Sequence, residues 1–154
     1  MLNAFWAVVV PVIDSAGGVI EHFAGDGVMA MFNVSGDQPD HARRAARAAL
    51  AIVAAARPLA AAHAGWPIFR VGVNTGPAVV GDLGAAGRRS FAVIGDATNT
   101  AARLMAAGEP GQVVVGRVTW EALGPDAVGT DLGPIHVKGK REPVQAWRLS
   151  GIGA

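Results

Sequence analysis

The chain has 154 residues, of which 51% are hydrophobic and 16% are charged, so it is long enough to form one domain with a substantial core. Its 13 basic residues nearly balance its 12 acidic ones, and the net charge is +1. This balance gives no electrostatic reason to expect nucleic acid or an anionic membrane as a partner. The absence of cysteine excludes disulfides and thiolate metal sites.

The longest apolar runs lie near residues 4–10 and 45–56. Both are shorter than the ~20 apolar residues that a transmembrane helix requires. The N-terminus lacks the basic segment that opens a signal peptide. We therefore expect a single cytoplasmic domain over residues 1–154, with no membrane-spanning segment.

The first predicted element is a helix over Leu2–Ala16, which contains Pro11 and is ended by Gly17-Gly18. Two short apolar strands follow, one on each side of Gly25-Asp26-Gly27. Glycine adopts the positive φ of a tight turn at little cost, so this triplet predicts a hairpin with Asp26 at its tip. From spacing alone, the commoner interpretation of Asp26 is a turn residue that satisfies its own backbone.

A second helix is predicted from His41 to Ala56, with Pro39-Asp40 at its start, Arg57-Pro58 ending or bending it, and an alanine-rich extension continuing to Ala64. Beyond it, short strands alternate with helices, which favours an α+β or α/β fold with helices packed on a sheet. The predicted strands cover Ile68–Asn74, Ala78–Val80, Phe91–Ile94, Val113–Val115, Ile135–Lys138 and Val144–Leu149; the later helices cover Ala97–Ala107, capped by Asp96, and Val118–Leu123.

Few residues are placed for chemistry. No phosphate-binding P-loop is present, and the four histidines lack metal-ligand spacing. Asn99 and Arg103 are four residues apart on a predicted helix, so they project from one face near its N-terminus. An amide beside a guanidinium can stabilise charge that develops on a phosphate. From spacing alone, an exposed amide and a surface ion-pair partner remain the commoner interpretation.

Five separated blocks of sequence carry a resemblance that spans nearly the whole chain. Together they resemble the catalytic domain of class III nucleotide cyclases, the adenylate/guanylate cyclase family, and its bacterial adenylate cyclases in particular. The resemblance implies an α+β fold with a ferredoxin-like βαββαβ core, a head-to-tail dimer, and conversion of ATP to cAMP and pyrophosphate in sites built from both protomers. The blocks are FAGDGVMAMFN, PDHARRAARAAL, RVGVNTGPAVVGDLG, FAVIGDATNTAARL and VKGKREPVQAWRL.

The resemblance also assigns roles to individual residues. Asp26 matches the second of two aspartates that hold Mg²⁺ or Mn²⁺ on the nucleotide phosphates, where the ions activate the 3′-hydroxyl. Asn99 and Arg103 match the pair that steadies the ribose and the transition state, contributed by the other protomer. Lys138 matches a lysine that approaches the phosphates. The base-reading positions are occupied here by His22 and Ala92.

The chain departs from the family pattern in two respects. Family members open with a strand of the type F-x-D-I-x-x-F-T, which carries the first metal aspartate, whereas this sequence begins at the family's first helix. The resemblance therefore implies that this aspartate and a central strand are absent, that the neighbouring strands lack a partner, and that Asp14 is no substitute. His22 and Ala92 replace the usual base-reading residues, which leaves ATP favoured over GTP by family alone.

Two functions remain open at this point. One is an adenylate cyclase-like homodimer. The other is a catalytically impaired homologue that serves as the partner of a complete cyclase domain, or as a regulatory module, by lending it Asn99 and Arg103.

Overall fold

A computed structural model of the chain describes residues 1–82, 91–136 and 139–153. Within these ranges the chain forms mixed helices and strands, separated by short connections. The helices are α1 (Leu2–Ser15), α2 (His41–Ala62), α3 (Asp96–Ala107) and α4 (Arg117–Leu123), with a 3₁₀ turn at Gly124–Asp126; the strands are β1 (Val19–Ala24), β2 (Gly27–Met31), β3 (Val71–Val73), β4 (Val79–Asp82), β5 (Phe91–Ile94), β6 (Val113–Gly116), β7 (Ala127–Ile135) and β8 (Val144–Ile152).

A four-stranded sheet in the order β3-β6-β8-β7 forms the centre of the domain. Strands β3 and β6 are parallel, and the other two pairs are antiparallel. Two antiparallel hairpins, β1–β2 and β4–β5, stand apart from this sheet. Helices pack on the sheet, which confirms the α+β class predicted from the sequence.

Successive side chains of β6 point to opposite faces of the sheet, and both faces are buried. Val113 and Val115 lie in one core cluster with Ala46 and Val53 of α2. Val114 lies on the other face, in a cluster with Leu104 of α3. The sheet is therefore covered by α2 on one face and by α3 on the other.

A third cluster joins α1 and α2 to strands of two different sheets. Val9 and Ile13 of α1 are buried in it, and Val28 of β2 and Val71 of β3 pack against it. Yet in the described chain β2 pairs with β1 alone, and β3 pairs with β6 alone. In the described chain, β2 and β3 are therefore edge strands of their sheets, and which strands lie beside the family's first strand stays a prediction.

Helix α2 does not end at Pro58 but continues to Ala62, so the predicted alanine-rich extension is part of the same helix. Proline removes the N–H that would bond to the carbonyl four residues earlier, here that of Ala54. Both Pro58 and Ala54 are exposed, so water can take the place of the lost donor.

The start of α2 agrees with the prediction, since the helix begins at His41. Asp40 is the N-cap residue, but its side chain makes no capping hydrogen bond. Its carboxylate instead accepts a hydrogen bond from Arg44 Nε at 2.7 Å, and this bond lowers the pKa of Asp40.

The strands β3 and β7 were predicted with the wrong bounds. Strand β3 is confined to Val71–Val73. Ile68, the first residue of the predicted strand, lies outside it and is half-exposed. The late strand predicted over Ile135–Lys138 lies earlier, at Ala127–Ile135, and its predicted last residues fall outside the described ranges. Glycine and proline in β7 oppose strand formation, but pairing with β8 along its whole length, with two register shifts, overrides that preference.

Replacing Pro58 with alanine should stabilise the domain. The change restores one backbone hydrogen bond in the interior of α2 and removes a steric conflict, with a gain of about 1–2 kcal/mol after the more flexible unfolded chain is allowed for. Urea unfolding followed by circular dichroism measures it. Pro39→Ala is the matched control, since Pro39 is exposed and precedes α2. Equal effects of the two variants would contradict the explanation.

Helix α2 also bears on membrane association. Among the described residues, it is the one helix whose length and mean hydropathy of 1.4 would suffice to cross a membrane. Its residues Ala46, Ala49 and Val53 are buried against the sheet. A core helix of this composition meets the same criteria, so its length and hydropathy are weak evidence of membrane insertion.

Candidate active site

The hairpin β1–β2 places Asp26 at an exposed tip. Ala24 pairs with Gly27, so the loop has the two residues Gly25 and Asp26, and Gly27 belongs to β2 rather than to the turn. Gly25 has φ 59°, and a glycine with positive φ at the first loop position is typical of a tight hairpin turn. No described residue forms an ion pair with Asp26. Its carboxylate is therefore free to bind a cation.

Among the described residues, Asp26 belongs to no cluster of three or more potential metal ligands. Across the described ranges, no group of three or more His, Asp or Glu side chains is placed to hold a metal ion. Mg²⁺ commonly keeps several waters and binds through one or two carboxylates together with substrate phosphates. Asp26 thus fits an ion shared with a nucleotide, whereas the described residues do not form a metal site of protein ligands alone.

His22 lies on β1, four residues before Asp26, and its side chain is 52% exposed. Its Nδ1 is 3.3 Å from Oε2 of Glu21. Strand β1 contacts β5, where the backbone of Ala92 pairs with Gly81. The two strands that carry the base-reading positions are therefore neighbours. The side chain of Ala92 and the whole of Lys138 lie outside what the structure describes.

The exposed face of α3 carries the predicted pair. Thr100 and Leu104 are buried, at 2% and 0% exposure, while Asn99 and Arg103 are exposed on the opposite side of the helix. Residues four apart are neighbours on a helix surface, so the amide and the guanidinium share one face. The structure brings these two candidates together and leaves their roles to experiment.

Helix α3 is held against β3 at very short range. A methyl group on Gly72 would overlap the carbonyl oxygen of Ala101 and the backbone nitrogen of Met105. Beside it, Asn74 Nδ2 donates a hydrogen bond to the carbonyl of Ala97 at 3.2 Å. The sequence analysis missed both residues, although a glycine between two valines in VGVN is the kind of signal that indicates close backbone approach.

The prediction that Asp96 caps α3 is wrong. Gly95 is the N-cap, and Asp96 is the first helical residue, with no side-chain capping bond at this end. The carboxylate of Asp96 instead forms an ion pair with Lys140, Oδ2 to Nζ, at 2.6 Å. Sequence reasoning could not find this contact, because 44 residues separate the two partners.

The exposed polar groups indicate the class of protein. The domain presents an exposed carboxylate on a hairpin tip and an amide–guanidinium pair on a helix. A carboxylate can bind the metal ion of a nucleoside triphosphate, and the pair can bind its phosphates. These exposed groups are of the chemical kinds that bind the metal ion and the phosphates of a nucleotide.

Comparison with known proteins agrees with that class. Residues 3–151 match the family model of the adenylate and guanylate cyclase catalytic domain. The chain therefore belongs to this family, as its sequence motifs indicated. It is 36% identical over 129 residues to an adenylate cyclase of Mycobacterium tuberculosis (strain H37Rv), a match that covers 83% of this chain and 28% of that protein. The chain thus spans under a third of that relative's length.

Solved structures show the same fold. The adenylyl cyclase CyaB from P. aeruginosa superposes with a TM-score of 0.85 and 29% identity, over 97% of this chain and 80% of that one. The guanylyl cyclase Cya2 gives a TM-score of 0.85 and 30% identity, over 99% and 79%. Similar folds thus include both an adenylyl and a guanylyl cyclase, so the fold leaves the choice of purine open.

Proposed function

We propose that residues 1–154 act as one catalytic domain that converts ATP to cAMP and pyrophosphate at the interface of a head-to-tail dimer. The observation that carries this proposal is the exposed pair Asn99 and Arg103 on α3, facing away from the buried Thr100 and Leu104. These polar groups are exposed on a helix that packs closely against Gly72. They can therefore bind a phosphate from outside the domain.

In the proposed cyclisation, the protein forms no covalent bond to the substrate. The ribose 3′-oxygen forms a bond to the α-phosphorus as its proton leaves, and the bond from that phosphorus to the pyrophosphate oxygen breaks. Asn99 donates a hydrogen bond that orients the ribose, and Arg103 donates to the oxygens on which charge accumulates. Asp26 would hold Mg²⁺ or Mn²⁺, which when bound neutralises phosphate charge and lowers the pKa of the 3′-hydroxyl.

A dimer suits the exposed apolar side chains of the two hairpins. Phe23 on β1 is 50% exposed, and Val79 on β4 is 67% exposed. Both belong to the two hairpins that stand apart from the central sheet. Exposed apolar side chains beside a candidate site favour a protein partner. We therefore propose that a second cyclase domain covers this surface and completes the site.

ATP is the proposed substrate, and the cytoplasm is the proposed location because ATP is abundant there. His22 offers ring nitrogens that can donate to or accept from a purine edge, whereas Ala92 has no side-chain hydrogen-bonding group. Base recognition would then depend on His22 and on backbone groups, which predicts weak discrimination. Steady-state turnover of ATP and GTP by the purified chain, with Mn²⁺ and then Mg²⁺, tests the proposal directly. Formation of neither cyclic nucleotide would refute it.

Replacing Asp26 with asparagine should remove metal-dependent turnover. The substitution keeps the size and turn preference of the residue but removes the negative charge that the cation needs, and we expect kcat to fall by about 10³-fold, as for loss of a group that stabilises charge in the reaction. A titration of Mn²⁺ against cAMP formation measures the effect. Asp37→Asn, which changes another exposed loop aspartate, is the matched control. Undiminished turnover by Asp26→Asn would exclude Asp26 as a metal ligand.

A second candidate function is favoured by the surroundings of Asp26. Since the described residues offer no cluster of three or more potential metal ligands around Asp26, this chain could serve as the partner of a complete cyclase domain. Its Asn99 and Arg103 would then complete an active site whose metal ion is held by that partner. Mixing it with a cyclase whose own Asn/Arg pair is disabled tests this function, and failure to restore turnover would count against it.

A further inference from the structure

A surface groove of about 360 Å³ lies between helix α4 and the strands β7 and β8. One wall is formed by the indoles of Trp120 and Trp147, which stack in parallel with ring centroids 5.3 Å apart and an angle of 2° between their planes. Both indoles pack against the core cluster on the face of the sheet that α2 covers, whereas α3 covers the other face. The groove is therefore separate from the candidate active site. The residues that line it are Arg117, Trp120, Glu121, Asp131, Gln145 and Trp147.

Asp131 supplies the negative charge of this groove. It lies directly opposite Trp147 in the pairing of β7 with β8, so the two side chains are neighbours on one face of the sheet. Its Oδ1 accepts hydrogen bonds from the backbone N–H of Gly133 at 2.7 Å and from Nε2 of Gln145 at 2.6 Å. Among the described residues, no cation pairs with this carboxylate, and no group donates to its Oδ2. One oxygen thus orients the carboxylate, and the other is open to a ligand.

Gln145 adds a second acceptor. A carboxylate oxygen can only accept, so the amide of Gln145 directs its NH₂ group toward Asp131 and its own oxygen away. In the described part of the chain, no group donates to that oxygen. Arg117 and Glu121 form an ion pair with each other at 2.9 Å, so their charges largely cancel. The groove therefore combines two open acceptors, one uncompensated negative charge and an aromatic wall.

We propose that this groove binds the guanidinium group of an arginine side chain that a partner protein presents. A guanidinium is planar, stacks on the face of an indole and carries five donors in a fixed arrangement. It can therefore contact the tryptophan wall while it donates to Asp131 and Gln145. An ammonium would meet the carboxylate as a point charge and would not stack.

The surroundings of the groove favour a protein as the source of the guanidinium. Val118 on α4 and Leu132 on β7 are exposed apolar side chains on the two elements that flank the groove. In the described chain, β7 is an edge strand of the central sheet. Exposed apolar side chains and an open strand edge are features of surfaces that contact another polypeptide, and arginine is enriched among the residues that dominate such contacts.

The test follows the indole N–H resonances of the ¹⁵N-labelled chain by NMR while N-acetyl-L-arginine N-methylamide is added, without nucleotide or metal. Of the four tryptophans, Trp120 and Trp147 should shift in a saturable manner, and Trp6 and Trp66 should not. We expect a dissociation constant of about 1–10 mM, the range of a ligand that makes few contacts. No saturable shift of Trp120 or Trp147 up to about 50 mM probe would overturn the proposal.

Two matched comparisons test the role of charge. The equally capped citrulline has the shape of arginine without its charge, and it should bind about tenfold more weakly. Asp131→Asn keeps the Oδ1 acceptor but replaces the open oxygen with an NH₂ donor, so affinity for the arginine probe should also fall about tenfold. Equal binding of the two probes, or unchanged affinity in Asp131→Asn, would contradict a guanidinium site.

Asp126→Asn is the control for Asp131→Asn. Asp126 lies just before β7 and pairs with Arg43 at 3.2 Å, outside the groove, and its replacement removes the same charge. Because the net charge of the chain is +1, its overall field does not attract a cation. We therefore expect parental affinity in Asp126→Asn. An equal loss in both variants would show that net charge, rather than the groove, controls binding.

Free L-arginine distinguishes a partner's side chain from a small metabolite. It carries the same guanidinium but has a charged amino group and a charged carboxylate, whereas the capped compound resembles a residue within a polypeptide. Binding of the capped compound at least as tight as that of free L-arginine would support a protein partner. Tighter binding of free L-arginine would assign the groove to a metabolite and overturn the assignment to a partner protein.

Discussion

Substitution of Asn99 or Arg103 by alanine should lower the kcat of cAMP formation by about 10²- to 10³-fold, the usual effect of removing one donor that stabilises transition-state charge. Both side chains are exposed, and neither belongs to a core cluster, so the thermal unfolding temperature should stay close to that of the parent. A loss of turnover at unchanged stability would separate a chemical role from a structural one. Steady-state kinetics with ATP, alongside calorimetry of each variant, makes the measurement.

Arg117→Ala is the matched control for Arg103→Ala. Arg117 is an exposed helical arginine on α4, 71% exposed in its side chain, and it pairs with Glu121 one turn away at 2.9 Å. Removing it deletes the same charge and the same side-chain length on a helix outside the proposed site. We expect its kcat and KM to match those of the parent. A similar loss in Arg117→Ala and Arg103→Ala would show that net charge, not position, controls the rate.

The proposed site, built from both protomers of the dimer, allows a more specific test of the same prediction. If Asp26 of one protomer acts with Arg103 of the other, Asp26→Asn and Arg103→Ala are each inactive alone. A heterodimer of the two variants contains one site with both residues intact, so mixing them should restore about a quarter of the parent activity when subunits exchange freely. Continued inactivity of a mixture that forms heterodimers would place both residues in one protomer's site and contradict the head-to-tail arrangement.

Much of this fold could be predicted from sequence because its local patterns agree with its tertiary contacts. The apolar face of α1, the glycines around Asp26 and the turn before α3 each have a short-range cause. The bounds of β7 could not be predicted, because that strand is formed by pairing with β8 against the preferences of its own residues. Whether Pro58 ends or only interrupts the hydrogen bonding of α2 likewise depends on an exposed carbonyl, which a sequence pattern does not report.

In the candidate site, too, some features follow from local sequence and others depend on contacts between distant parts of the chain. Helical spacing predicts that Asn99 and Arg103 share one face of α3, and only the family motifs assign them a role in the reaction, which stays a prediction. Lys140 and Asp96 were not paired in advance, because their contact joins distant parts of the chain through the connection after β7. Asp26 lies at the hairpin tip as predicted, whereas its interpretation changes from a turn residue to a proposed metal ligand. Its hairpin conformation follows from Gly25, whereas its chemical role depends on a partner and a metal ion that local sequence does not specify.

Replacing Gly72 with alanine should produce the largest loss of stability among the substitutions considered. The added methyl group would overlap backbone atoms of Ala101 and Met105, which cannot move aside as a flexible side chain could. Helix α3 would have to move away from β3, at the expense of the packing of Leu104 against Val114. We expect a destabilisation of about 3 kcal/mol or more, since overpacking against backbone exceeds the usual cost of an extra methyl group.

The comparison with Gly151→Ala makes this prediction specific. Gly151 lies in β8, and a methyl group there would meet no atom within 4 Å, so this variant should be as stable as the parent or slightly more so. Denaturant unfolding of both variants gives the difference in free energy. Because α3 carries Asn99 and Arg103, the kcat of cAMP formation should also fall in Gly72→Ala, even at temperatures where the variant is still folded. Normal stability and turnover in Gly72→Ala would mean that α3 does not depend on close contact with β3 for its position.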